Sequence, residues 1–174
     1  MRYLLFVPLI LFAALAQVAA APYFPLLGVT ANPLLVLLVC WAIVRGPEET
    51  MALIPVAGIF KDLITTDPVG ASVLALLPIV PLAAIRERRP TESEFLPTLA
   101  VVAAASLSYH LIYMIVLTAV GDGPPWLQSP VRVILPAALF NALITPIFYL
   151  PVRWATTLAE MARPSMSVPG LGER

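Results

Sequence analysis

Lys61 and Asp62 stand side by side inside an apolar run, Gly58-Ile59-Phe60-Lys61-Asp62-Leu63. An ionised side chain in apolar surroundings is costly without a partner, so such a pair is a first place to look for chemistry. On a helix starting near Glu48, Asp62 lies about 21 Å along the axis, within snorkelling reach of a membrane–water boundary. Asp62 shares a helical face with Gly58 at i−4, where a neighbouring helix can approach closely. Two readings are open: a structural ion pair or partner contact at a helix crossing, or an ordinary interfacial charge pair. A second set follows at helical spacing. Ser106, His110 and Tyr113 are related as i, i+4 and i+7, with Tyr109 beside them, and Asn141 and Thr145 repeat the i, i+4 relation. The two stripes are able to face each other and hydrogen-bond; a proton relay or a ligand cavity is the sharper reading of the same residues.

No catalytic set emerges from these residue types. One histidine, His110, and one cysteine, Cys40, cannot assemble a zinc site or a Cys/His nucleophile. No glycine-rich phosphate loop ending in Lys-Ser/Thr is present. Glu48, Glu49, Glu92 and Glu94 flank apolar stretches and read as solvated carboxylates. The expectation is a non-enzyme without cofactor or metal. Cys40 lies in an apolar run and reads as a buried structural thiol.

The elements that hold these groups must be membrane helices. Of the 174 residues, 60% are hydrophobic and 11% charged, against ~45–50% and ~25% in soluble domains; mean hydropathy is +0.94. A globule this small leaves too much surface exposed to hide that excess from water. Net charge is zero, which gives no attraction for nucleic acid. Apolar stretches run at 3–21, 26–44, 48–65, 69–85, 96–119 and 131–152, divided by Arg45-Gly46-Pro47, Thr66-Asp67-Pro68, the polar run 86–94 and Gly121-Asp122-Gly123-Pro124-Pro125. Each is taken as one crossing, helical because lipid offers backbone amides no partner. The second admits a variant in which Pro33 divides an outer loop from a short helix. The fold class is therefore all-α: a polytopic six-transmembrane-helix bundle over 1–160, with a flexible cytoplasmic tail over 161–174. The first stretch resembles a signal peptide but is long enough to span, about 28 Å, and is read as an uncleaved helix.

Eight of the ten basic residues (Arg2, Arg45, Arg86, Arg88, Arg89, Arg153, Arg163 and Arg174) fall on one side of this bundle, and only Lys61 and Arg132 on the other. The positive-inside rule makes the first side cytoplasmic, with both termini there. Trp41, Trp126 and Trp154 fall near stretch ends. Pro55, Pro78, Pro81, Pro136 and Pro146 lie within the stretches and favour kinks that enclose a cavity or shape a groove.

With these residues in order, the sequence resembles the rod shape-determining protein MreD family. Asn32-Pro33-Leu34-Leu35-Val36-Leu37-Leu38 opens the second stretch and Arg45-Gly46-Pro47 closes it. Gly58-Ile59-Phe60-Lys61-Asp62-Leu63 and Asp67-Pro68-Val69-Gly70-Ala71 follow, then the cluster Arg86-Glu87-Arg88-Arg89. The match is best over about 30–90, and Pro55-Val56-Ala57 before Gly58 departs from the family pattern. The resemblance implies a non-enzymatic scaffold of the bacterial cell-wall elongation complex in the inner membrane. It implies binding to MreC, through its membrane helix and adjacent extracytoplasmic segment, and links through MreC to MreB, RodA and a class B penicillin-binding protein. It also implies a fold similar to the substrate-binding subunits of energy-coupling-factor vitamin transporters. A subunit of that kind, with Tyr109, His110, Asn141 and Trp126 gripping a ligand, is the alternative function. Gly58, Asp62, His110 and Asn141 are the candidate structural or partner contacts. Reporter fusions at Arg86–Arg89 are expected to read as cytoplasmic; an extracytoplasmic signal there overturns the orientation.

Overall fold

The computed structural model describes residues 8, 11, 13–15, 19, 31–65, 67–88, 95–121 and 133–161, the last with side chains to 157. The described residues of the first stretch are helical, and six further helices follow: α1 (Pro33–Arg45), α2 (Pro47–Ile64), α3 (Ala71–Leu76), α4 (Ile79–Glu87), α5 (Phe95–Val120) and α6 (Leu135–Met161). Among the described residues there are no strands. The one-stretch, one-helix expectation is corrected at two places. The fourth stretch is two short helices separated at Leu77-Pro78, because Pro78 has no amide to continue the α3 ladder. The second stretch is helical only from Pro33 within the described part, which is the variant with a short helix after Pro33, so α1 has 13 residues and measures about 20 Å. Trp126, Arg89, Glu92, Glu94 and the tail lie outside the described residues.

Helix α1 is the axis of the bundle and packs against α2, α4, α5 and α6. Its sequence Leu34-Leu35-Val36-Leu37-Leu38-Val39-Cys40 has no polar face, and every one of those side chains is buried. A helix apolar all round has no face that must meet water, so it can be enclosed on every side. Ala13 and Ala14 of the first stretch join the same core. Gly46, at φ +101°, ends α1 and starts α2 in one residue, a backbone state that glycine adopts without penalty. Pro47 then takes the first position of α2, where its missing N–H costs nothing.

The outer helices are inverted relative to a soluble bundle. On α6, Leu135, Leu139, Leu143, Ile147, Leu150 and Trp154 are exposed, whereas Ala138, Asn141, Thr145, Tyr149, Val152 and Thr156 are buried. Both sets recur at three to four residues, so the apolar stripe faces out and the polar one faces in. Helices α5 and α6 are long and apolar enough to cross a membrane. Pro55, Pro146 and Pro151 lie inside helices, while Pro81 and Pro136 sit in first turns, where proline is tolerated.

Gly58 marks the tightest approach between helices. A Cβ at this position would stand 2.6 Å from Val73 Cγ2, 2.7 Å from Val73 N and 2.8 Å from Val73 Cα. The main chain of α3 therefore leans directly on α2, and nothing there can yield cheaply. Gly58→Ala is expected to destabilise the fold by about 1–3 kcal/mol through overpacking, read as a lower melting temperature of the purified chain in mild detergent.

Candidate functional site

Two polar clusters and one groove emerge from this architecture. The first cluster forms where α1 begins inside the protein. A helix start leaves backbone amides without intrahelical partners, and here water is remote: Asn32 is 5% exposed and Asn141 0%. Asn32 caps its own helix, its side-chain oxygen accepting from the Leu35 amide at 2.9 Å. The Asn32 amide donates to Asn141 Oδ1 at 2.7 Å, and Asn141 Nδ2 donates to Ser106 Oγ at 2.8 Å. One carboxamide thus joins α1, α5 and α6. Thr145 turns back on its own helix, donating to the Asn141 carbonyl.

The second cluster lies at the start of α3. Asp62 is 2% exposed. Its carboxylate accepts from the Gly70 amide at 2.7 Å and from the Ser72 amide at 3.2 Å, a charge-assisted cap on a helix of six residues. Lys61 is buried too. Its ammonium donates to Ser72 Oγ at 2.9 Å, stands 3.9 Å from Asp67 Oδ2, and lies 4.8 Å from the centre of the Tyr113 ring and 5.8 Å from that of Tyr109. Those two rings are stacked at 5.6 Å, and a ring face attracts a cation most where water is excluded.

The geometry corrects several expectations. Lys61 and Asp62 do not pair with each other, because adjacent residues on a helix point in different directions; each serves a separate partner around α3. The stripe Ser106–His110–Tyr113 also divides. Ser106 meets Asn141 as anticipated and Tyr113 turns to Lys61, but His110 donates from Nδ1 to the Ser106 carbonyl of its own helix at 2.8 Å. It is half-buried, with its ring edge-on to Tyr109 at 5.3 Å. Glu49, expected as a solvated carboxylate, pairs with Arg45 at 3.1 Å across the Gly46-Pro47 turn. Gly58 and Asp62 are brought together against α3, and Asn141 stands in a different cluster. Asn32, Ser72 and Asp67 were not singled out by sequence reasoning as members of these clusters. For Asn32 the Asn-Pro step before α1 carried the signal, since Asn is a preferred cap and Pro a preferred first helical residue; α3 starts after Gly70, and no such step at its start marked Asp67 or Ser72.

The groove is a consequence of the α3–α4 break. Met51 of α2, Leu74 of α3, Leu77 and Pro78 of the break, Val80 and Pro81 of α4, and Ile112 of α5 line about 630 Å³ of space, all of it apolar. Met51, Leu74 and Leu77 are 60%, 51% and 42% exposed.

Compared with known families, the sequence matches the model of the rod shape-determining protein MreD over residues 1–156. The chain belongs to the MreD family. Searches of curated proteins and of solved structures return no match. The match covers every described helix but the end of α6, so both polar clusters and the groove belong to the MreD unit. Membership makes the chain a membrane protein of the rod shape-determining system, which agrees with outer helices that expose leucine and bury asparagine. Asn141→Ala is expected to leave the Asn32 amide and the Ser106 hydroxyl without partners in a dry interior, at roughly 1–3 kcal/mol per orphaned group. Thermal unfolding in detergent checks this, with Asn141→Gln, which keeps the carboxamide, losing less.

Proposed function

We propose that this chain is a non-enzymatic scaffold of the cell-wall elongation complex that binds MreC and so helps position the peptidoglycan synthases that maintain rod shape. In this reading the chain crosses the inner membrane six times with both termini in the cytoplasm. The membrane helix of MreC seats in the apolar groove between α2, α3, α4 and α5, and its neighbouring extracytoplasmic segment rests on the outer loops. MreB, RodA and a class B penicillin-binding protein are reached through MreC.

The observation that carries the reading is the groove itself. In lipid there is no hydrophobic drive between helices, so association relies on van der Waals fit. A flat leucine surface gains little over lipid chains, whereas a groove cut by Leu77-Pro78 offers a shape that a helix fills and flexible chains fill less well. The polar clusters support the same function indirectly, holding α2, α3 and α5 rigidly enough for the groove to keep its form.

The ligand-binding alternative draws no support from the same space. A metabolite subunit needs a few convergent polar groups in its pocket. Asn141 is committed to Asn32 and Ser106, His110 to its own helix, and the large groove has no polar lining.

The test is co-purification with MreC in mild detergents. Wild-type chain is expected to retain MreC, and Leu77→Trp, which fills the groove from an exposed position, to lose most of it while eluting and melting like wild type. Failure of the wild-type chain to retain MreC in every mild detergent overturns the scaffold reading. Undiminished recovery with Leu77→Trp removes the groove from the interface.

A further inference from the structure

Helices α2 and α5 form two walls of the groove, with Met51 on one and Ile112 on the other. Both walls pack against α3 and α4, and far less against each other. Helix α3 goes with α2. Asp62 accepts from the Gly70 and Ser72 amides at its start, and Gly58 lets the Val73 main chain lie against α2. Apolar packing of this pair on α5 is non-directional and gives attraction without a fixed spacing. The spacing of the walls needs a tie that has direction.

Lys61 has the reach to be that tie. Its side chain is buried. The ammonium donates to Ser72 Oγ at 2.9 Å, with Asp67 as countercharge at 3.9 Å. It stands 4.8 Å from the centre of the Tyr113 ring and 5.8 Å from that of Tyr109, both on α5. One cation rooted on α2 therefore holds a hydroxyl of α3 and two ring faces of α5. Tyr109 and Tyr113 flank Ile112 within about one turn, so the contact is made beside the α5 wall of the groove.

The rings, more than the hydroxyls, are what α5 contributes. The Tyr109 hydroxyl is buried and has no hydrogen-bond partner among the described residues, so its polar end adds nothing there. The two rings are stacked with 12° between their planes. A ring face attracts a cation, and does so most strongly where water is excluded.

We infer that Lys61 is a positioning residue whose ammonium clasps α5 to the α2–α3 pair and so sets the width of the groove that receives a partner's apolar helix. The inference deepens the scaffold reading and rests on the groove being the docking site. Without the clasp the walls part, lipid chains fill the space, and a helix loses the fit that favours it over lipid.

The test uses the full-length chain in mild detergent, spin-labelled through Ile59→Cys in α2 and Leu111→Cys in α5, both exposed positions, while Cys40 is buried. Pulsed electron paramagnetic resonance reads the distance between the labels, and MreC recovery is read on the same samples. The chain with Lys61 in place is expected to give one narrow distribution. Lys61→Met, which keeps the length of the side chain and removes the cation, is expected to lengthen and broaden it and to lower MreC recovery about tenfold. Tyr113→Leu, which removes the nearer ring face, should do the same. Tyr113→Phe and Tyr109→Phe keep the faces and should match the parent chain in both readouts. An unchanged distribution in Lys61→Met overturns the inference. So does a Tyr113→Phe chain that behaves like Tyr113→Leu, since the hydroxyl would then be the tie. A wider spacing with full MreC recovery overturns the link between width and docking. If Lys61→Met does not fold, Tyr113→Leu against Tyr113→Phe decides. The distances need no partner, so a parent chain with a narrow distribution that retains no MreC counts against the scaffold reading and not against the clasp.

Discussion

A short helix that begins in a dry interior must find acceptors for its first amides, and the whole bundle is arranged around that requirement. Helix α1 has no polar face and is wrapped by other helices, and wrapping it removes water from its start. Asn32 answers part of the need within its own helix, and Asn141 answers the rest from α6 while holding Ser106 of α5. A single carboxamide holds its acceptor oxygen and its donor nitrogen in one rigid plane, pointing in different directions. It therefore sets the mutual position of three helices more tightly than leucine packing alone, which tolerates sliding.

The same rule operates at the start of α3, with charge in place of amide. A six-residue helix has little internal stability, since nucleation is costly and few bonds follow it. Asp62 supplies the missing acceptors, Gly58 allows α3 to lean on α2, and Lys61 settles between Ser72, Asp67 and two tyrosine rings. Three consecutive needs of one short helix are thus met from less than two turns of α2. Fixing α3 there leaves the chain to break at Leu77-Pro78 before α4, and that break is what opens the apolar groove.

Polar groups in this protein are spent inward, on fixing helices, and the apolar surface is left outward, some of it shaped. That division suits the scaffold role proposed for the chain. Internal hydrogen bonds give the groove a constant form, and the described residues that line it are apolar. At the other end of α1, Arg86 and Arg153 line one cavity with Ile43 and Val44, and Arg45 bonds Glu49 across the Gly46-Pro47 turn.

The membrane class, the helical content, the turn at Gly46 and the family were all legible in the residue order. Each depends on composition or on neighbours a few positions apart, and the physics of burial and of helix caps is local at that range. The partner of Asn141 within α5 was legible as well, because two polar stripes on apolar helices have few places to go. What folding alone decided were the contacts between distant segments. That Lys61 and Asp62 part company, that His110 stays with its own helix, that the fourth stretch breaks in two and that Asn32 rather than His110 completes the Asn141 cluster all depend on which elements lie beside them in space. Local spacing shows the face a side chain occupies; only packing shows what stands opposite that face.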